Sequence, residues 1–251
     1  MDKIRISAVK YANTYPFIYG LNVSGFGEKA IIETDHPSGC AEKLITGRTD
    51  LGLMPAGALP LLNEYHIVGD YCIGANGDVR TVMLLSNSEF EDTRTIYLDY
   101  RSRSSVKLIK VLAANWWKKE YEWKDTSRGF DFTGIKPGEA VVLIGDQCFE
   151  LEKSFSHNVD LAGAWKKYTG LPFVFACWIA NKELERDFID DFNNALASGV
   201  RNIDAVVQKF GKTGKIRDAE LKKYLSENID YKLDNEKKKG LSLFLELIGK
   251  L

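Results

Sequence analysis

Two junctions in this 251-residue sequence put anion-binding residue types where a strand gives way to a helix. In residues 95–112, TIYLDYRSRSSVKLIKVL, Ile96 and Leu98 alternate with Thr95 and Tyr97, and Leu108, Ile109, Leu112 and Trp116 then recur at helical spacing. The turn between them offers Ser102, Ser104 and Ser105 as caps. The first-turn N–H groups of such a helix lack backbone partners and face the positive end of the helix dipole, so the turn can hold a carboxylate or phosphate. Arg101 and Arg103 add charge that a planar carboxylate can accept in bidentate fashion. An ordinary helix cap with solvated arginines accounts for the same residues.

The second junction is Tyr11-Ala-Asn-Thr-Tyr-Pro16, where Asn13 and Thr14 are capping types and Pro16 suits the first turn of a short helix through Gly20. Two further strand ends carry candidates. Pro55-Ala56-Gly57-Ala58 is a turn whose small residues allow a ligand or another backbone to come close. Asp146 follows Gly145 at the carboxyl end of an apolar strand, which is where open α/β sheets bind ligands and also where a helix cap would stand. Metal or thiol chemistry has no comparable pattern. Cys40, Cys72, Cys148 and Cys177 are widely spaced without a CxxC, and His36, His66 and His157 form no HxH or HxxxH.

Composition sets limits on partners. The 34 basic and 35 acidic residues leave a net charge of −1, so no global field draws in nucleic acid or an anionic membrane, and an anionic ligand must be held locally. The N-terminus enters a strand without an apolar leader and no run approaches the length of a membrane span. The expectation is a cytoplasmic protein, monomer or homodimer, whose partner is a small molecule.

The elements that would position these residues read as β-α units. Strands are expected at residues 3–9, 29–34 and 49–54, with helices at 40–45 and 59–65, an order that implies a parallel sheet with crossover helices. Two or three strands follow within 66–86, and the helix after Ser105 is expected to run to about Tyr121, ahead of a long loop at 123–138. Residues 140–144 and 172–180 are apolar runs typical of strands buried on both faces. Beyond Asn181 only helical periodicity remains. The expected class is α/β, with two lobes and a central cleft: lobe 1 from 1–87 and 181–251, lobe 2 from 88–180. Clefts of this kind are preferred small-molecule sites.

Several motifs together resemble the MqnA family, the chorismate dehydratases of the futalosine route to menaquinone. ISAVKYANTYPFIYGL is similar to that family's RISYLNTLPF segment, TDLGLMPAGALPLL to DLAPVSSIEY, and VRTVMLLS to the SVxLxS strand. LDYRSRSSVKLIKVL resembles its strand-turn-helix, VVLIGDQCF its LIGDxAL, and YTGLPFVFACWIAN its WTGLPFVFAxW. The matches run in order over the first 180 residues. The resemblance implies a periplasmic-binding-protein-like type II fold used as an enzyme, with loss of water from chorismate to give 3-[(1-carboxyvinyl)oxy]benzoate. It implies no metal or organic cofactor, and a proton taken by the substrate's own enolpyruvyl carboxylate.

By position, the resemblance makes Asn13 the group that orients the enolpyruvyl arm or the departing hydroxyl. Either Thr81, nearer the Gly77 turn and therefore preferred, or Ser86 touches substrate beside it. Ser104 and Ser105 bind a carboxylate and Asp146 matches the Asp after LIG; Tyr11, Thr14, Pro55 and Ala56 at the same turns complete the expected substrate-binding set with Arg103, which like Arg101 departs from the family pattern and either strengthens carboxylate binding or faces solvent. Ala56-Gly57-Ala58 departs from the family's serine pair. The competing class is a solute-binding protein for a small carboxylate.

Overall fold

The computed structural model describes residues 3–211 and 216–251, and two mixed sheets organise them. The first sheet is built on β1 (Ile4–Val9), β2 (Ala30–Asp35) and β3 (Leu51–Pro55), parallel strands joined through α1 (Tyr15–Val23) and α2 (Pro37–Ile45). It then continues antiparallel through β10 (Phe173–Ala180), β4 (His66–Ala75) and β11 (Asp230–Lys232). The second sheet has the order β7-β6-β8-β5-β9, from β7 (Glu122–Asp125), β6 (Thr95–Leu98), β8 (Glu139–Ile144), β5 (Val82–Ser86) and β9 (His157–Asp160). Its helices are α3 (Ser104–Leu112), the short α4 (Cys148–Leu151) and α5 (Leu161–Thr169). Apolar β3 and β10 are buried along their whole length, as continuous hydrophobic runs require.

Sheet membership moves the expected lobe boundaries. β5 hydrogen-bonds within the second sheet and β10 within the first, so the chain crosses at residues 76–81 and again at 170–172. An apolar run buried on both faces does not encode which sheet it joins. Local expectations shift too. A 3-10 turn spanning Ala56–Leu61, with Pro60 inside it, stands where a helix was expected at 59–65. α3 ends in a π-turn at Ala113–Trp117 closed by left-handed Lys118, and β7 occupies part of the expected loop.

The C-terminal segment wraps the first lobe with α6 (Arg186–Arg201), α7 (Ile203–Phe210), α8 (Asp218–Lys223) and α9 (Asn235–Ile248). α6 crosses α1 at backbone contact. A Cβ at Gly20 would lie 1.9 Å from the Ala195 carbonyl oxygen, and one at Gly199 would lie 1.7 Å from that of Pro16. Only glycine fits at both places, and the crossing pins α1 and the Ala12–Thr14 turn ahead of it.

Candidate functional site

Between the two sheets lies a cavity with about 510 Å³ of empty space, its open mouth included. This is within the range of small-ligand sites. Of the residues proposed from sequence, Tyr11, Asn13, Pro55, Thr81, Arg103, Ser104 and Ser105 line it, drawn from both lobes and from the first crossover. Thr14 and Ala56 are buried behind this wall. Ser86 lies at the far end of β5 from Thr81, where its hydroxyl donates to the Glu139 carbonyl at 2.9 Å and accepts the Ser88 N–H at 2.9 Å. Of the two hydroxyls expected to meet substrate, Thr81 is in the cavity lining and Ser86 is outside it. Strand spacing of about 3.3 Å per residue carries it away from the cleft.

The three serines of the α3 junction divide into separate tasks. Ser102 is the cap, accepting the Ser105 N–H at 3.0 Å. Ser104 is spent on the fold: its hydroxyl donates to the Phe175 carbonyl at 2.7 Å and accepts the Gly57 N–H at 3.1 Å, fastening lobe 2 to lobe 1. Its one hydrogen is thus given to the Phe175 carbonyl in this structure, although the residue lines the cavity as the sequence suggests. Ser105 lines the cavity and its hydroxyl has no hydrogen-bond partner among the described residues, so that donor remains free. The same packing explains Ala56-Gly57-Ala58. A Cβ at Gly57 would lie 2.7 Å from the Arg103 carbonyl oxygen and 2.8 Å from the Ser104 Cα.

The two arginines also differ. Arg101 is held by the fully buried Asp99, Nε to Oδ1 at 2.7 Å, and serves the turn. Arg103 is exposed at the cavity rim and has no ion pair among the described residues.

On the opposite wall the polar groups are held by their neighbours. Thr14 Oγ1 donates to Asn13 Oδ1 at 3.2 Å, and the phenol oxygen of Tyr224 is 2.8 Å from Thr81 Oγ1. Tyr231 donates to the Asn13 carbonyl at 3.1 Å. Both tyrosines come from the C-terminal segment and are buried, which pushes both phenols well above the ordinary range and keeps them protonated. Tyr11 is likewise raised by burial, and its OH is 3.3 Å from Nδ1 of His36. His36 is shifted down by its own burial and by the Lys10 and Arg101 charges. Gly145, in the left-handed region at φ 77°, lets the Tyr11 ring pass, since a Cβ there would lie 2.7 Å from Cε1.

Asp146 does not line the cavity. Its carboxylate accepts the Ala12 N–H at 3.0 and 3.2 Å, a tie from lobe 2 to the first helical turn of lobe 1. Burial pushes its carboxyl up to about 6, with the Ala12 N–H pulling the other way. Tyr224 and His36 were not legible as site residues, because the first sits in a segment that reads only as amphipathic helix and the second is a lone histidine. The four cysteines are buried, and among the described residues no group of three or more His, Cys, Asp or Glu is placed to hold a metal ion.

The family model described as menaquinone biosynthesis matches residues 4–250. A chorismate dehydratase of Thermus thermophilus is 23% identical over 261 aligned residues, covering 96% of this chain and 93% of the relative. That of Campylobacter jejuni is 30% identical over 200, covering 74% and 87%. In structure, a Candida albicans protein described as having the generic periplasmic binding protein fold superposes with a TM-score of 0.71 at 10% identity, covering 100% of this chain and 91% of that one. The two lobes and their cleft are thus a periplasmic-binding-protein-like fold. No helix among the described residues is long and apolar enough to cross a membrane. With the family model spanning nearly the whole chain, tail included, the chain belongs to the MqnA family of menaquinone biosynthesis proteins.

Proposed function

We propose that the chain is a chorismate dehydratase, removing water from chorismate to give 3-[(1-carboxyvinyl)oxy]benzoate. The reading is supported by one observation above the others. The polar side chains that line the cavity are hydroxyls, an amide and a guanidinium from two lobes, Tyr11, Asn13, Thr81, Ser102, Arg103, Ser104 and Ser105, of which Ser102 and Ser104 are engaged by the fold. An amide and hydroxyls have no useful basicity near neutral pH, and Tyr11 is raised further from ionisation. Among the described residues no carboxylate is in that lining, and Asp146 is turned to the Ala12 N–H outside it. The site therefore orients a substrate that carries its own base.

In this scheme Arg103 and the Ser105 hydroxyl, at the start of α3, take the ring carboxylate. Asn13 and Thr81 hold the enolpyruvyl arm and the departing hydroxyl. The enolpyruvyl carboxylate takes the proton from the ring carbon that bears the ether oxygen, that C–H electron pair becomes the new ring double bond, and the C–O bond to the hydroxyl on the adjacent ring carbon breaks. The hydroxyl takes over the abstracted proton and leaves as water, the carboxylate is restored and the ring becomes aromatic. Gain of aromaticity supplies the driving force, and the protein supplies orientation, for which effective molarities are large.

Incubating the protein with chorismate and following the aromatic product by ultraviolet absorbance and mass loss of one water tests the reading. Tight binding without turnover would favour instead a solute-binding protein for a small carboxylate, the commoner use of this fold.

A further inference from the structure

We propose that Tyr224 is a positioning residue that sets the Thr81 hydroxyl as a donor to the substrate, so that the C-terminal segment completes a site otherwise built from the two lobes. The inference rests on the chorismate reading, since it assigns Thr81 a substrate oxygen to meet.

Donor and acceptor counting carries it. Tyr224 is fully buried, and among the described residues Thr81 is the one hydrogen-bond partner of its phenol. A phenol has one hydrogen. With no other acceptor beside it, it gives that hydrogen to Thr81 Oγ1 at 2.8 Å. Thr81 is then the acceptor of that contact and must place its own hydrogen elsewhere. Among the described residues its remaining partner is the Val79 carbonyl at 3.5 Å, at the limit of a hydrogen bond, so a negatively charged oxygen in the cavity competes readily. Donation in sequence polarises each successive O–H, making the Thr81 hydroxyl a better donor than an isolated threonine.

The chain is also rigid. Tyr224 is fully buried, its ring meets Phe149 edge to face at 5.1 Å, and Tyr231 fixes the Asn13 backbone from the same segment. Tyr224 touches the reacting atoms only through its neighbours, since it is not part of the cavity lining.

A double-mutant cycle tests this: wild type, Tyr224→Phe, Thr81→Ala and the pair, each with kcat and KM on chorismate and with Tm. Phe keeps the ring packing and removes one O–H. Tyr224→Phe is expected to lower kcat about tenfold, the factor for one hydrogen bond of about 1.4 kcal/mol, with KM within about twofold. The double variant should be no slower than Thr81→Ala, and Thr81→Ser should restore the Tyr224 dependence. Additive losses, or an unchanged kcat in Tyr224→Phe, overturn the proposal. A wild type that binds chorismate without converting it overturns the dehydratase reading instead, and the same non-additivity is then read in Kd by calorimetry.

Discussion

The two walls of the cleft use similar residues to opposite ends. On the α3 wall, three serines crowd one turn, yet Ser102 caps the helix and Ser104 bolts the lobes together, which leaves Ser105 as the free hydroxyl. On the Asn13 wall the polar groups stand on separate segments, and the C-terminal segment holds two of them, Tyr224 at Thr81 and Tyr231 at the Asn13 carbonyl. A dense local cluster has spent most of its hydrogen bonds on structure, whereas the dispersed one is held by the distant tail. Local density of polar residues is thus a poor guide to which of them meets a ligand.

The sharpest way to break this contrast is at Asn13. If the Asn13 wall supplies orientation, a misplacement of about 1 Å costs on the order of a hundredfold in rate, and Asn13→Ala should lower kcat/KM by that order. Asn13→Asp should be worse at neutral pH, because it also sets a negative charge against an anionic substrate and loses the amide's donor. Recovery of the Asp variant as pH falls through its carboxyl pKa is the expected profile. An Asp variant that matches wild type at neutral pH would mean the position serves as a general base.

Next in size is Gly57→Ala, which acts on the α3 wall. The new methyl meets the Arg103 carbonyl and the Ser104 Cα, both backbone and unable to swing aside. Overpacking of this kind costs about 1–3 kcal/mol, and because the wedge sits between lobes, chorismate affinity should fall together with Tm. Unchanged calorimetric Kd in a folded variant would show that the contact is not part of the closed cleft.

These effects bear on what could be read from sequence. The strand-to-helix junctions at Asn13 and Ser102 were legible because a change from period two to period 3.6 and capping chemistry are local. The cleft between two lobes followed from element order. The boundaries were not legible, since β5 and β10 are apolar on both faces and carry no mark of their sheet. Tyr224 and the double use of Ser104 were invisible for a related reason: each depends on contacts at long range, 143 residues for Tyr224 with Thr81 and 71 for Ser104 with Phe175.

The serine division gives a paired test of smaller size. Ser104→Ala leaves the buried Gly57 N–H and Phe175 carbonyl unpaired, which should cost about 1–3 kcal/mol of stability, read in denaturant unfolding. Ser105→Ala removes a hydroxyl without a protein partner, so Tm should hold while Kd for chorismate rises by a factor corresponding to about 1 kcal/mol. Equal behaviour of the two variants would erase the distinction drawn between them.

The smallest expected effect concerns the tie that joins the two walls, Asp146 to the Ala12 N–H. Burial raises this carboxyl to about 6, above the roughly 3.9 of an unfolded chain. Between those values the folded state binds more proton than the unfolded one, so stability is greatest below pH of about 4 as far as this group is concerned and is lost as pH rises through about 6. Asp146→Asn keeps an oxygen to accept the Ala12 N–H but cannot titrate. The difference in unfolding free energy between variant and wild type should therefore grow in the variant's favour from about pH 4 to about pH 7, by on the order of 1 kcal/mol once partial exposure is allowed for, as read by denaturant unfolding at each pH. Asp160 is raised to about 6 by its own burial and is present in both proteins, so its contribution cancels in the difference. A flat difference profile would mean that the Ala12 N–H and residual solvent hold the Asp146 charge as well as water does. A profile of opposite slope would place a cation beside it, and the tie between the walls would then be an ion pair across the cleft.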